Sequence, residues 1–230
     1  SATITATSGS ASATASVTVA QAFYLAANGV TVICTAADVG DTGAIGGVTY
    51  TKRTKAQITT GNAVTTCTSG ITDMSRMFSD ATTFNGNIGS WDVSSVTDMN
   101  YMFYDAEAFN ADISSWNVSG AVDMSNMFTF ADVFNADISS WNVSKTTNMS
   151  SMFTFALAFN RDLNSWDVSK VTNMSTMFQY ATAFNGNISS WNVSSVTDMN
   201  EMFDNARVFN QDLNSWNVSS VTNMSEMFTG

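Results

Sequence analysis

Read for hydrophobic positions, the chain changes character near Ile71. Before it, apolar residues are scattered among small and polar ones. From Thr72 onward they recur every 25 residues without insertion or deletion. Met-Phe pairs begin at 77, 102, 127, 152, 177, 202 and 227. Within one unit two patterns follow each other. Met99, Met102, Phe103, Ala106 and Phe109 stand at offsets 0, 3, 4, 7 and 10, the spacing of one helix face. The Asp or Asn just before the first Met, here Asp98, is a strong N-cap residue. After Asn110 comes "DISSWNV", where Ile113, Trp116 and Val118 can turn inward as a short strand.

A fixed period of this length belongs to units that hide an apolar face against their neighbours. The expected architecture is an α/β solenoid: a leucine-rich-repeat-like, right-handed stack of 25-residue coils, each with one short strand and one short helix. Its strands would run parallel at about 4.8 Å on the concave side. Trp91, Trp116, Trp141, Trp166, Trp191 and Trp216 form one column, read as inward-facing. Asn85, Asn110, Asn135, Asn160, Asn185 and Asn210 form another, read as a buried amide ladder serving the backbone of its own coil and the next.

The repeats fill residues 71–230 as about six and a half units, and residues 21–70 are the non-repetitive segment before them. Cys34 and Cys67, the only cysteines, both fall there. Read as a disulfide they close a loop of roughly thirty residues, stabilising by about 3–4 kcal/mol in the loop-entropy picture and favouring an oxidising compartment. Two separate buried thiols are the alternative. Residues 1–20 alternate small and apolar residues around Ser8-Gly9-Ser10, enough for a hairpin but too few for a domain, so something is expected upstream. They lack the basic start and apolar core of a signal peptide, as expected of a mature chain or a cut piece. Gly230 follows a Met-Phe pair within the expected helix, so the natural chain is expected to continue.

Composition then removes whole classes of chemistry. With no histidine, the commonest general base and zinc ligand near neutral pH is missing. Eight basic against 19 acidic residues give a net charge of -11, a surface that should repel nucleic acid and anionic membranes. No apolar run reaches the roughly 18 residues that a membrane-spanning helix needs.

The unit "FNADISSWNVSGAVDMSNMF" resembles the 25-residue repeats of BspA-type leucine-rich-repeat bacterial surface proteins, over residues 71 to 230. The stretch "FYLAANGVTVICTAADVGDTGAIGGVTYTKRTKAQI" resembles the capping region that precedes such repeats, which implies a β-rich N-terminal cap over residues 21–70. The opening "SATITATSGSASATASVTV" looks like the last hairpin of a group 2 bacterial immunoglobulin-like domain. The resemblance implies an extracellular, cell-surface adhesion module, one bead of a longer protein, and supplies no active-site residues.

Several motifs invite chemistry and lose it to repetition. The N-x-S sequons at Asn117, Asn142, Asn148, Asn173, Asn187, Asn192, Asn217 and Asn223 arise automatically in an Asn/Ser-rich unit. The Asx columns through Asn87, Asp92 and Asp98 could offer oxygens to calcium. They mix Asp and Asn freely and lack a calcium-loop motif, so turn and cap roles are the preferred reading, with no metal or cofactor assigned. Asp112, Asp137 and Asp162 could be drawn as glycosidase carboxylates, but stacked identical acids do not give an acid and a base in separate environments.

One column breaks the grammar: Asp80, Asp105, Phe130, Phe155, Tyr180, Asn205. With Tyr104 and Leu157 in adjoining columns it is the candidate ligand-binding patch, able to stack on sugars or insert into a partner; the alternative is packing between helices. The expected function is a non-catalytic scaffold binding a surface protein or glycan. The other class is a structural subunit that assembles with further copies of itself into a filament or layer. Neither nucleic acid nor direct membrane insertion is expected.

Overall fold

The computed structural model describes residues 2–8, 11–17 and 21–230 of the chain. Strands β1 (Ala2–Ser8) and β2 (Ala11–Val17) pair antiparallel from Ala2 opposite Val17 to Ser8 opposite Ala11. The turn expected at Ser8-Gly9-Ser10 lies largely outside the described residues. Next, β3 (Tyr24–Leu25) pairs antiparallel with β4 (Val32–Ile33). Strands β5 (Thr42–Ile45), β6 (Val48–Lys52) and β7 (Thr66–Cys67) form a sheet in that order, β6 and β7 parallel. Gly46 and Gly47, both with positive φ, make the two-residue hairpin between β5 and β6 that matches strand twist. Phe23, Val32, Cys34, Ala37 and Cys67 bury together as a small separate core. Cys34 and Cys67 are bonded, with Cα atoms 6.3 Å apart.

The α/β solenoid with a helix and a strand per coil is not what residues 71–230 form. Among the described residues there is no α-helix. The only helical turns are two 3-10 turns, Lys55–Gln57 and Ala63–Thr65, both ahead of the repeats. The segments expected to be helical are runs of tight turns. Arg76 and Asp80 both have positive φ (56° and 61°), and so does the equivalent pair in each of the next five units. Two left-handed residues per unit are incompatible with a continuous right-handed helix. The backbone bonds follow suit. Met74, Arg76, Phe78 and Asp80 donate to the carbonyls of Asp98, Asn100, Met102 and Tyr104 in the next unit, at 2.8–2.9 Å, while Met77, Ser79 and Ala81 close turns within their own. Asp98, expected as an N-cap, instead accepts from Asn100 N–H two residues on, an Asx turn repeated at Asp123, Asn148 and Asn173.

The expected strand fails for a related reason. The segment 112–121 is two tight turns, closed by Trp116 N–H to Ile113 C=O and Ala121 N–H to Val118 C=O. The only β-pairing in the repeats is a line of single-residue parallel bridges through Asp73, Asp98, Asp123, Asn148, Asn173, Asp198 and Asn223. Turns of three and four residues bury the same offsets that a helix would. Met99, Met102, Phe103, Ala106 and Phe109 are therefore fully buried without one.

Aromatic ladders hold the units together. Phe103 stacks on Phe109 of its own unit at 3.9 Å and on Phe128 of the next at 5.5 Å, and the pattern recurs. The tryptophans lie nearly parallel where they neighbour, Trp116 and Trp141 at 6.3 Å. Each indole N–H donates across the unit boundary: Trp116 to Ile88 C=O, Trp141 to Ile113, Trp166 to Ile138, Trp191 to Leu163 and Trp216 to Ile188. Residues 21–70 supply the same acceptor to the first unit, where Trp91 donates to Ala63 C=O. Val32 N–H to Ser90 C=O and Ser69 Oγ to the buried Asp92 carboxylate complete that junction.

Lys55 adds an ion pair at the junction, its Nζ 2.7 Å from Asp73 and 2.8 Å from Ser75 Oγ. The bond from Lys55, then that from Ser75, pulls the Asp73 carboxyl from 3.8 down to about 2. A depressed folded value gives stability that is complete above the unfolded value and lost as pH falls from about 4 through about 2. The melting-temperature gap between the parent and Lys55→Met should therefore close over that window. A gap independent of pH would show that the pair does not stabilise the junction.

Candidate functional site

Phe130, Phe155 and Tyr180 come together as one row on the surface. Phe130 and Phe155 stack at 4.9 Å, Phe155 and Tyr180 at 4.4 Å. Tyr104 meets Phe130 edge-on at 5.6 Å. All four are half-buried. Leu157, two residues after Phe155, is exposed, as is Val133, three after Phe130. The described repeats hold no helix, so the alternative for this column, packing between helices, takes the form of packing between units.

The backbone under the row is unusual. Phe130, Phe155 and Tyr180 have φ of 59°, 56° and 55°, the left-handed region. Asp80, Asp105 and Asn205 hold the same positions in the other units, with φ of 61°, 54° and 56°. Asp and Asn are the non-glycine residues most at home there, whereas bulky side chains are outliers.

Sequence reasoning missed two members of the row. Tyr101 packs on Tyr104 at 5.4 Å, and the Arg76 guanidinium lies 4.1 Å over the Tyr101 ring. Tyr101 stands in the other left-handed column, three residues before Tyr104. Comparing columns one at a time hides it; comparing neighbours within a unit would have found the Tyr101–Tyr104 pair.

Carboxylates frame the row. Asp105 precedes Phe130 in its column, while Glu107 and Asp132 precede Leu157 in its own. Burial, then the nearby Asp105 charge, pushes the Asp132 carboxyl up. At the other end, Gln179 beside Tyr180 donates to Glu201 and to Asp204, the latter at 3.0 Å.

The remaining candidates serve the scaffold. The Asn column lies at the surface, exposed or half-buried, rather than inside. Asn85 Oδ1 accepts from Asn110 N–H in the next unit, Asn110 from Asn135, Asn135 from Asn160, Asn160 from Asn185, and Asn185 from Asn210. In the columns weighed for calcium, Asn87, Asp92 and Asp98 each accept at Oδ1 from the N–H two residues on. Hydrogen bonds from Ser114 and Ser139 pull the Asp112 and Asp137 carboxyls down, so neither is set up as a retained general acid. Among the described residues no cluster of acidic or cysteine side chains is arranged to hold a metal, and no helix is long and apolar enough to cross a membrane.

Residues 50–165 and 154–230 match the family described as "Mycoplasma protein of unknown function, DUF285". The chain belongs to that family. The two DUF285 matches together run over the whole repeat region and the last strands of the segment before it. No curated protein matches the chain, and no solved structure does. The ladders of buried Phe and Trp account for the 25-residue periodicity of the chain, and the aromatic row is where it departs from its own repeat.

Proposed function

We propose that this DUF285 chain is a non-catalytic binding scaffold of the BspA type, working outside the cell at a bacterial surface, with the aromatic row as its contact face. The observation that carries the reading is the placement of Phe130, Phe155 and Tyr180 at left-handed positions that equivalent units fill with Asp or Asn. A left-handed conformation costs an ordinary residue about 1–2 kcal/mol, while a stacked aromatic pair returns about 0.5–1.5 kcal/mol. Three such residues and their pairs come close to cancelling. Folding therefore gives little reason to depart from Asp or Asn, and contact with a partner does. The disulfide suits an oxidising compartment.

The test is the triple variant Phe130→Asn, Phe155→Asn, Tyr180→Asn, screened with the parent on an array of surface proteins and oligosaccharides. The variant should keep its circular dichroism and stay within about 2 kcal/mol of parental stability, since Asn is already tolerated at this position. It should lose the parent's array partners. A variant that retains every parental partner would move the contact face elsewhere.

A further inference from the structure

The way the rings stack says what kind of partner can use them. Sugars are held by aromatic faces, because their C–H groups lie flat on the π-surface. In this row the faces between neighbouring rings are already taken. Phe130, Phe155 and Tyr180 cover one another at 4.9 and 4.4 Å with interplanar angles of 24° and 5°. Tyr104 meets Phe130 edge to face, with the two rings at 88°. Arg76 lies over Tyr101. What the row presents between its covered faces is a line of ring edges, with exposed apolar side chains at Val133, three residues after Phe130, and Leu157, two after Phe155. Such a strip is shaped for aliphatic side chains laid along it rather than for a sugar ring laid on it.

Charge supplies the second half. Asp105, Glu107 and Asp132 stand at one end and Glu201 with Asp204 at the other, while Arg207 is the cation of the Leu157 column and Arg76 is engaged with Tyr101. Burial first, and then the Asp105 charge, disfavour the ionised Asp132 carboxyl, a penalty that a cation from outside would relieve.

Building on the reading of the row as the contact face, we infer that its partner is a cationic amphipathic segment of a protein. Apolar side chains of the segment run along the ring edges, and its Lys or Arg groups reach Asp105 and Asp132 at one end and Glu201 at the other. Complementary charge sets the orientation and the rate of encounter, and the apolar strip holds the segment in place.

The experiment uses the whole chain with a short synthetic Leu/Lys amphipathic peptide and its Leu/Glu counterpart, binding followed by calorimetry at low and high salt. The Leu/Lys peptide should bind and the Leu/Glu peptide should not. Asp105→Asn with Asp132→Asn should weaken binding about tenfold, as should high salt. Asp162→Asn with Asp212→Asn removes the same charge beside the Asn ladder and should leave binding unchanged. The Phe130→Asn, Phe155→Asn, Tyr180→Asn variant keeps every acid and should not bind. Equal binding of the two peptides, equal loss in the two acid pairs, or undiminished binding by the aromatic variant would each overturn the inference. If the aromatic variant loses an oligosaccharide that the parent binds, and the Leu/Lys peptide binds neither protein, the cationic partner is ruled out while the row remains the contact face.

Discussion

Replacing Trp141 by Ala should lower stability by about 3–5 kcal/mol, the range for emptying a large aromatic site in a packed core. Trp141 is buried, lies parallel to Trp116 at 6.3 Å and approaches Phe128 at 6.4 Å. Its indole also donates to Ile113 C=O in the preceding unit, so the substitution breaks a ladder and a tie between units together. Trp141→Phe separates the two effects. It keeps most of the apolar volume and removes the donor, leaving Ile113 C=O with only the Trp116 N–H, and should cost about 1 kcal/mol beyond the lost volume. The same truncation at Trp216, only half-buried, should cost clearly less than at Trp141. Denaturant unfolding of the three variants decides it. Equal losses at Trp141 and Trp216 would mean that the column does not stabilise through inter-unit packing.

Which side chains face inward was legible in the sequence because burial follows spacing. Met99, Met102, Phe103, Ala106 and Phe109 were assignable to one apolar face without knowing the backbone. The backbone was not legible, since offsets of three and four residues are shared by helices and by runs of tight turns. The deciding quantity is the sign of φ at Tyr101 and Asp105, and neither residue type announces a left-handed conformation as glycine would. Asp98 misled in the same way, because an oxygen that can cap a helix also closes an Asx turn. The aromatic row was visible as a break in the repeat at Phe130, Phe155 and Tyr180. That their faces are mutually covered depends on ring orientation, which a one-dimensional pattern does not contain. The surface position of the Asn column was equally hidden. An amide bonding from one unit to the next looks the same in sequence whether it sits inside or outside the turn.

Removing the disulfide should weaken the chain from one end. The double variant Cys34→Ser, Cys67→Ser opens a loop whose ends are 33 residues apart, which the loop-entropy relation values at about 3–4 kcal/mol. The small core that the two sulfurs complete buries only Phe23, Val32 and Ala37 besides, with Ala22, Ile45 and Tyr50 partly buried against it, so little fully buried apolar surface is left to hold it. The loss should then spread along named bonds. Cys34 N–H donates to Ser69 Oγ, Ser69 Oγ donates to the buried Asp92 carboxylate, and Val32 N–H donates to Ser90 C=O. Once residues 32–34 and 67–69 loosen, Trp91 also loses the registry of its acceptor at Ala63 C=O, and the first unit has no neighbour on that side. Units further along are bonded to one another, not to this region, as in Phe153 N–H to Met177 C=O. Hydrogen exchange should therefore accelerate strongly at 32–34 and 90–92 and hardly at all at 149–156, because units that contact only their neighbours transmit disorder weakly. Uniform acceleration along the whole chain would mean instead that the repeats and residues 21–70 unfold as one cooperative body, and that the first unit is held by its successors more firmly than by the disulfide-bonded region before it.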